Sequence, residues 1–378
     1  MKTCFCAVSR SFVVLLCFPY SPVYAQSGFS AGGFLKLHGM LGDITENTDR
    51  RGDYELFVPH IPVPGGNPDN ETNSNWHALT SRLWLRAVKS DTPVGNIELM
   101  VEGDLFDETD RYRPRLRHAY LLAGPVLVGK TWSTFVNASA LAAIDSGTAV
   151  GNMVTRQHQL RYTRMSGQGW QWQLAVETPL NRLHFEDDTQ IVAYHYDSRP
   201  DIVGRVQTIQ QWGNLSLSTV WRELSADAPW TGSNDNRQTL AFSLAGRINF
   251  GVLDNLRFML NHGKGLARYS TIGTYADAVV GRNGNLETLT GTGALVALQH
   301  FWTPRWRSTF AWSRSLARLP DRSDPRLTGN ADSLHFNLIW APGTRYSLGA
   351  EYLQASRDLL NGQLGVIRRV QLTFRLNY

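Results

Sequence analysis

Val370-Gln371-Leu372-Thr373-Phe374-Arg375-Leu376-Asn377-Tyr378 closes the chain. On an extended strand Val370, Leu372, Phe374, Leu376 and Tyr378 fall on one side, and Gln371, Thr373, Arg375 and Asn377 on the other. The alternation is strict, and it stops on an aromatic on the apolar side. A soluble edge strand can alternate in this way, but it rarely ends so. The stretch has the form of the terminal insertion signal of an outer-membrane barrel.

The same period recurs upstream. Trp170, Trp172, Leu174 and Val176 alternate with Gln171, Gln173, Ala175 and Glu177. Leu240, Phe242, Leu244, Gly246, Ile248 and Phe250 alternate with Ala241, Ser243, Ala245, Arg247 and Asn249. Trp306, Phe310 and Trp312 share a face against Arg307, Thr309 and Ser313. Apolar outward and polar inward is the order a transmembrane barrel needs, with lipid outside and water inside. No mature segment approaches a transmembrane helix, which leaves a closed barrel as the spanning structure.

Seventeen segments alternate, near 31–41, 74–90, 95–106, 112–122, 125–132, 153–165, 168–178, 189–197, 201–209, 213–222, 237–250, 255–264, 290–302, 305–315, 331–341, 345–355 and 365–378. An odd number is unusual for a bacterial single-chain barrel, and connection length locates the surplus. Short turns from the front are Asp91–Val94, Ala123-Gly124 and Ser166–Gly169; from the back, Ala341–Thr344, Thr303-Pro304, Gly251–Asp254 and Gln210–Gly213. The two series agree when one segment within 179–200 is not wall. Residues 189–197 are therefore read as part of a long outer loop. The predicted fold is all-β, a 16-stranded antiparallel transmembrane barrel with short periplasmic turns and long extracellular loops. Trp302, Trp306 and Trp340 border the short turns, as an interfacial aromatic girdle does.

At the other end Lys2 and Arg10 flank an apolar stretch from Ser11 to Phe18, followed by Val23-Tyr24-Ala25. This predicts a signal peptide over 1–25, cleaved after Ala25, and one barrel domain over 26–378. The apolar run is well short of the roughly 20 residues a bilayer span needs. Leu15-Leu16-Cys17 lacks the small residues that precede a lipidated cysteine. All three cysteines, Cys4, Cys6 and Cys17, lie in the signal, so the mature chain has no disulfide and no thiol chemistry. Removing Lys2 and Arg10 takes the net charge from +5 to +3, too mild a balance to suggest nucleic acid. Basic residues are almost all arginine, whose planar fork suits carboxylates, although a GC-rich genome gives the same bias.

Turn centres register the strands around 82–132. A centre near Thr92 sets Arg82 opposite Glu102 and Arg86 opposite Glu98. A centre near Thr109-Asp110 sets Glu102 against Arg117 and Asp104 against Arg115. A centre at Ala123-Gly124 sets Arg117 against Lys130 and Arg115 against Trp132. The predicted lumenal row is Arg82–Glu102–Arg117–Lys130, with Arg86, Glu98, Asp104, Arg115 and Trp132 beside it. Three cations to one acid in that row would favour anions in passage. Bracing of the wall by cross-strand ion pairs is the competing reading.

Loop 133–152 is long and rather apolar, with Asp145 its charged residue. Folding inward as a constriction explains that composition; packing on a neighbouring subunit is the alternative. Loop 43–73, rich in Pro and Gly, reads as a surface loop. Loops 223–236, 265–289 and 316–330 carry no chemical signal. Histidines are scattered, none in a nucleophile motif, and His118 falls on the predicted lipid face. There is no G-x-S-x-G, H-E-x-x-H or phosphate loop, so no enzyme, cofactor or metal is expected. An outer-membrane enzyme, or a structural or adhesive barrel with a plugged lumen, remains the alternative class.

Four stretches resemble the DcaP family of outer-membrane porins: Gly95–Phe106, Arg115–Tyr120, Leu127–Phe135 and Arg156–Thr163. Pro200–Arg205 and the hairpin Asn337–Tyr378 are also similar. The resemblance implies a homotrimeric barrel in outer-membrane lipid that passes small anionic, dicarboxylate-like solutes, with arginines at the narrow part. Carried onto this sequence it points to Arg82, Arg115, Arg117 and Arg161. Two departures stand out. Family members often carry a helical extension before the barrel, whereas strand 1 is predicted within about five residues of Ala25. Lys130 also stands where the family pattern has glutamine.

Overall fold

Tight turns and long connections alternate along the chain, and that rhythm sorts the strands into a wall. The structure, a computed structural model, describes residues 27–43, 56–63, 72–106, 112–186, 188–194, 199–228, 233–270 and 273–378. The predicted cleavage site at Ala25 lies outside them. Wall strands are β1 Gly28–Asp43, β2 Arg82–Thr92, β3 Gly95–Asp104, β4 Arg115–Ala123, β5 Val126–Trp132, β6 Arg156–Ser166, β7 Trp170–Glu177 and β8 Asp201–Gln210. They continue as β9 Gly213–Ala228, β10 Ser233–Phe250, β11 Asp254–Lys264, β12 Thr290–Thr303, β13 Trp306–Arg318, β14 Thr328–Trp340, β15 Tyr346–Leu359 and β16 Leu364–Asn377. Each pairs antiparallel with the next, and β1 closes on β16 from Phe34↔Asn377 to Gly42↔Arg369. Closure removes the sheet edges that lipid could not satisfy. No helix among the described residues is long and apolar enough to cross a membrane.

The segment excluded from the wall behaves as expected. Val192–Tyr194 pairs with Asn181–Phe185, which lies beside Ala278–Val280 and Leu286–Thr288 in a small separate sheet among the outer loops. Outward alternation also holds: Trp172 and Leu174 are 53% and 59% exposed, while Gln171 and Ala175 are 2% and 1%. At the turn end Trp340 packs between Trp306 and Tyr346, with ring centroids 6.3 and 6.1 Å away.

Three expectations need correction. Segment 74–90 is not one strand: Thr72–His77 pairs with the outer half of β1, β2 starts at Arg82, and Leu79 is buried between them. Loop 223–236 is mostly strand, because β9 and β10 pair as far as Ala228↔Ser233. Loop 43–73 is not wholly a surface loop. Leu56, Val58 and Ile61 pack in a buried cluster with Val150, Ala331, Leu353, Ala355 and Ile367.

The inner face is also less polar than its alternation suggests. Ala175, Val203, Val220, Ala241, Ala245, Met259, Leu295, Ala297 and Ala311 line β7 to β13 and are buried. Phe135, Val136, Ala140, Leu266, Ala267, Tyr269 and Tyr275 from two inward-folded loops cover them. Small wall side chains leave room for that second layer, and the apolar area it buries stabilises the loops. That second layer fills the β7–β13 side of the interior.

Candidate functional site: the inner wall and its inward loop

Loop 133–155 is fastened to the inner wall along its whole course. Ser133 Oγ and Thr134 N donate to Glu177, both at 2.7 Å. Asn137 Nδ2 donates to Ser216 Oγ at 2.9 Å, and the Leu141 carbonyl accepts from Arg257 at 2.7 Å. The Ala143 carbonyl accepts from Asn337 at 2.8 Å. Asp145 N and Ser146 N donate to the Glu351 carboxylate at 2.5 and 3.2 Å. On the return, Val150 N and Gly151 N donate to Ser333 and Ser313. A Cβ on Gly151 would sit 2.3 Å from the Ala294 carbonyl oxygen and 2.4 Å from that of Arg314, so the backbone lies flat against the wall there.

Across from this loop, β2–β4 carry a continuous ion-pair ladder. Arg86 bonds Glu98 at 2.7 Å, and Tyr120 donates to the same carboxylate at 3.0 Å. Glu102 lies 3.8 Å from Arg82 and accepts from Arg117 at 2.8 Å. Asp104 accepts from Arg117 at 2.7 Å and from both Nε and Nη2 of Arg115 at 2.8 Å. The expected contacts are present although the register is not the expected one. Arg82 lies opposite Asp104 and Trp84 opposite Glu102, because the β2–β3 pairing centres on Pro93 rather than on Thr92. Long side chains reach the diagonal neighbour and recover the pairing.

A second irregularity, between Glu102 and Gly103, sets Glu102 opposite His118. His118 is therefore not on the lipid face. Its Nδ1 lies 2.8 Å from Thr131 Oγ1 and its Nε2 accepts from Arg156 Nε at 3.2 Å. One extra residue in one strand shifts the alternation beyond it, and nothing in the composition announces it. Lys130 leaves the predicted row as well, since its ladder neighbours are Ala119 and His158 rather than Arg117. Trp132, predicted beside Arg115, stacks on Arg156 at 3.7 Å instead.

Nearer the short turns lies a second set of cations, of which only Arg161 was expected as a site residue from the sequence. Lys36 and Arg375 are ladder partners, as are Arg247 and Arg257, in each case two cations directly opposite on the inward face. Arg307 shares that face with buried Ile339. Arg205 is held by Gln173 at 2.6 Å and by the Val136 carbonyl at 2.8 Å, both neutral acceptors. Arg161 sits opposite Leu127 and Ala175, on the predicted inward face. Arg375 stacks on Phe34 at 3.8 Å, and Arg82 approaches the same ring at 5.3 Å. Period two alone put Arg247, Arg307 and Arg375 inward, so a signal for them existed.

A family model described as Porin subfamily, Porin_2, matches residues 54–321. The chain belongs to this porin subfamily. No curated protein sequence matches it. Among solved structures it is similar to the outer membrane channel DcaP of Acinetobacter baumannii, with a TM-score of 0.77 at 19% identity, over 93% of this chain and 98% of that one. An anion-selective porin from Comamonas acidovorans gives 0.57 at 13% identity, over 93% and 100%. Salmonella typhi OmpF gives 0.61 at 9% identity, over 93% and 98%. Porin family and barrel together point to an outer-membrane channel rather than an enzyme. Among the described residues no group of His, Cys, Asp or Glu is arranged to hold a metal ion.

Proposed function

We propose that this porin passes small anionic, dicarboxylate-like solutes by passive diffusion along an arginine-lined inner wall. One observation carries the reading: the two like-charge ladder pairs, Lys36↔Arg375 and Arg247↔Arg257. Like charges directly opposite on a sheet destabilise it. A site that bears them is best explained by anions that occupy it in turn, as charged linings do in selective pores. A carboxylate can move from one guanidinium fork to the next by exchanging charge-assisted bonds.

The roles divide accordingly. Arg82, Arg86, Arg115 and Arg117 are largely balanced by Glu98, Glu102 and Asp104, so they brace the wall and shape the approach. Arg161, Arg205, Arg247, Arg257, Arg307 and Arg375 set the sign of the passage. Loop 133–155 narrows it from the opposite side. The similar anion-selective porin supports the anionic preference, and the Vibrio cholerae OmpT trimer form supports a homotrimer in outer-membrane lipid. A leader over 1–25 would direct export.

Reconstitution in a planar bilayer tests the reading. Discrete conductance steps and a chloride-preferring reversal potential in a potassium chloride gradient are expected. Cation preference would keep the barrel but remove the arginine argument, and absence of conductance would point to a plugged barrel.

A further inference from the structure

Asp145 is the charged residue at the far reach of the inward loop, and its backbone is held from several sides. Its amide donates to Glu351 at 2.5 Å, and its carbonyl accepts from Gln371 Nε2 at 3.1 Å and from Lys36 Nζ at 3.5 Å. Two wall strands and β1 therefore fix its backbone. The carboxylate then lies 3.2 Å from the Lys36 ammonium, with Arg375 and Arg307 both within electrostatic reach. It is partly open to solvent, with the Asp145 and Lys36 side chains 17% and 14% exposed.

The wall makes room for this carboxylate. Gly349 is in register with Ile339 and Thr373 on the same inward face, and a Cβ there would sit 2.8 Å from Asp145 Oδ2. The result is a pocket of cations with a glycine floor, filled by a carboxylate on a short side chain. At Arg247↔Arg257, the other like-charge pair, no carboxylate among the described residues pairs with Arg247, and Arg247 Nε is buried without an acceptor.

We propose that Asp145 is a tethered stand-in for the solute's carboxylate, occupying the Lys36–Arg307–Arg375 site and weakening it for anions in transit. The inference rests on the anionic reading above. A tethered competitor lowers apparent affinity by the fraction of time the site is free. Weak holding suits a channel, because a solute that binds too well does not leave. Lys36, Arg307 and Arg375 thus form a solute-carboxylate site whose strength is set by the loop.

Single-channel recording with sodium succinate as probe tests this in the full-length porin. Asp145→Asn keeps the backbone bonds and the side-chain shape while removing the charge. Chloride preference should rise, and the succinate concentration that half-blocks the current should fall by roughly three- to tenfold, as expected for one charge contact relieved at a partly exposed site. Lys36→Gln should move the half-blocking concentration the other way. Gly349→Ala, which crowds the carboxylate, should act in the direction of Asp145→Asn. Unchanged block and selectivity in Asp145→Asn, with an anion-selective parent channel, would overturn this proposal alone. A parent channel without anion preference or succinate block would overturn the broader reading first. Heat-modifiable migration of each variant on a gel checks that the barrel has folded.

Discussion

Arg117 Nη1 donates to Asp104 Oδ2 at 2.7 Å, and the pair is closed from solvent on both sides, with side chains 6% and 0% exposed. Glu102 and Arg115 complete the group, so each charge is compensated within the wall. Removing one member of a buried pair strands the others. Arg117→Gln should therefore cost about 3–5 kcal/mol of barrel stability. Urea unfolding in lipid vesicles measures it, and chloride preference in the surviving channels should change little. A stable variant with altered selectivity would place Arg117 in the solute path instead.

Neutralising Arg247 should do the reverse. Its removal relieves like-charge repulsion worth a few tenths of a kcal/mol up to about 1 kcal/mol, so stability should hold or rise slightly, whereas removing Arg257 also costs the bond that holds the Leu141 carbonyl. The reversal potential in a salt gradient should shrink toward the nonselective value. If selectivity is untouched in Arg247→Gln and in the double variant, these guanidiniums do not face the ion path.

Gly151→Ala tests whether the inward loop sets the passage. An added methyl would meet two wall carbonyls at distances no real Cβ tolerates, so the returning arm of the loop must lift. Larger and noisier conductance steps are expected, with faster uptake of bulky solutes into proteoliposomes. Steps of parental size and steadiness would show that the passage is limited elsewhere.

The outer-loop sheet should be sensitive to acid. Burial lowers the pKa of His184 below its usual 6.5, and its Nδ1 lies 3.0 Å from the Gln190 carbonyl oxygen. A proton binds the ring more readily once the loop opens. Stability of this sheet is therefore full above pH 6.5 and declines as pH falls from there toward the lowered value. Protection of the amides at 181–185, taken relative to the intrinsic exchange rate at each pH, should fall between pH 7.5 and 5.5, and His184→Gln should flatten the difference. Equal protection at both values would remove His184 as the cause.

Period two was enough to read the wall, because a closed barrel imposes it on each strand and lipid enforces it outside. The closing strand with Val370 and Tyr378 is the clearest case. Register was harder. The shift at Glu102/Gly103 leaves no mark on residue type, yet it turned His118 inward, and a turn centred one residue later than expected, with Ala123 opposite Val126, moved Lys130 out of the row. Contacts of Arg82 and Arg117 survived because arginine is long enough to absorb a two-residue offset. What the inward loop touches was not legible, since Asp145 meets Glu351 across 206 residues of sequence. No local pattern encodes a contact of that span.

The same separations bear on how the molecule is built. Loop 133–155 leaves the wall early in the chain, yet its partners Ser313, Ser333, Glu351 and Gln371 lie in its last quarter. Before β13–β16 exist as a sheet, the first part of the loop can already lie on β7–β11, but the part from Ala143 to Gly151 has nothing to lie against. Closing a chain segment of this length carries an entropic cost that grows only slowly with length, so delay rather than distance is the hazard. The wall can close with the loop still loose, but the loop cannot settle until the seam between β1 and β16 has formed. An assembly intermediate of this porin would thus be a finished cylinder with an unfinished interior, wider and stickier inside than the mature channel.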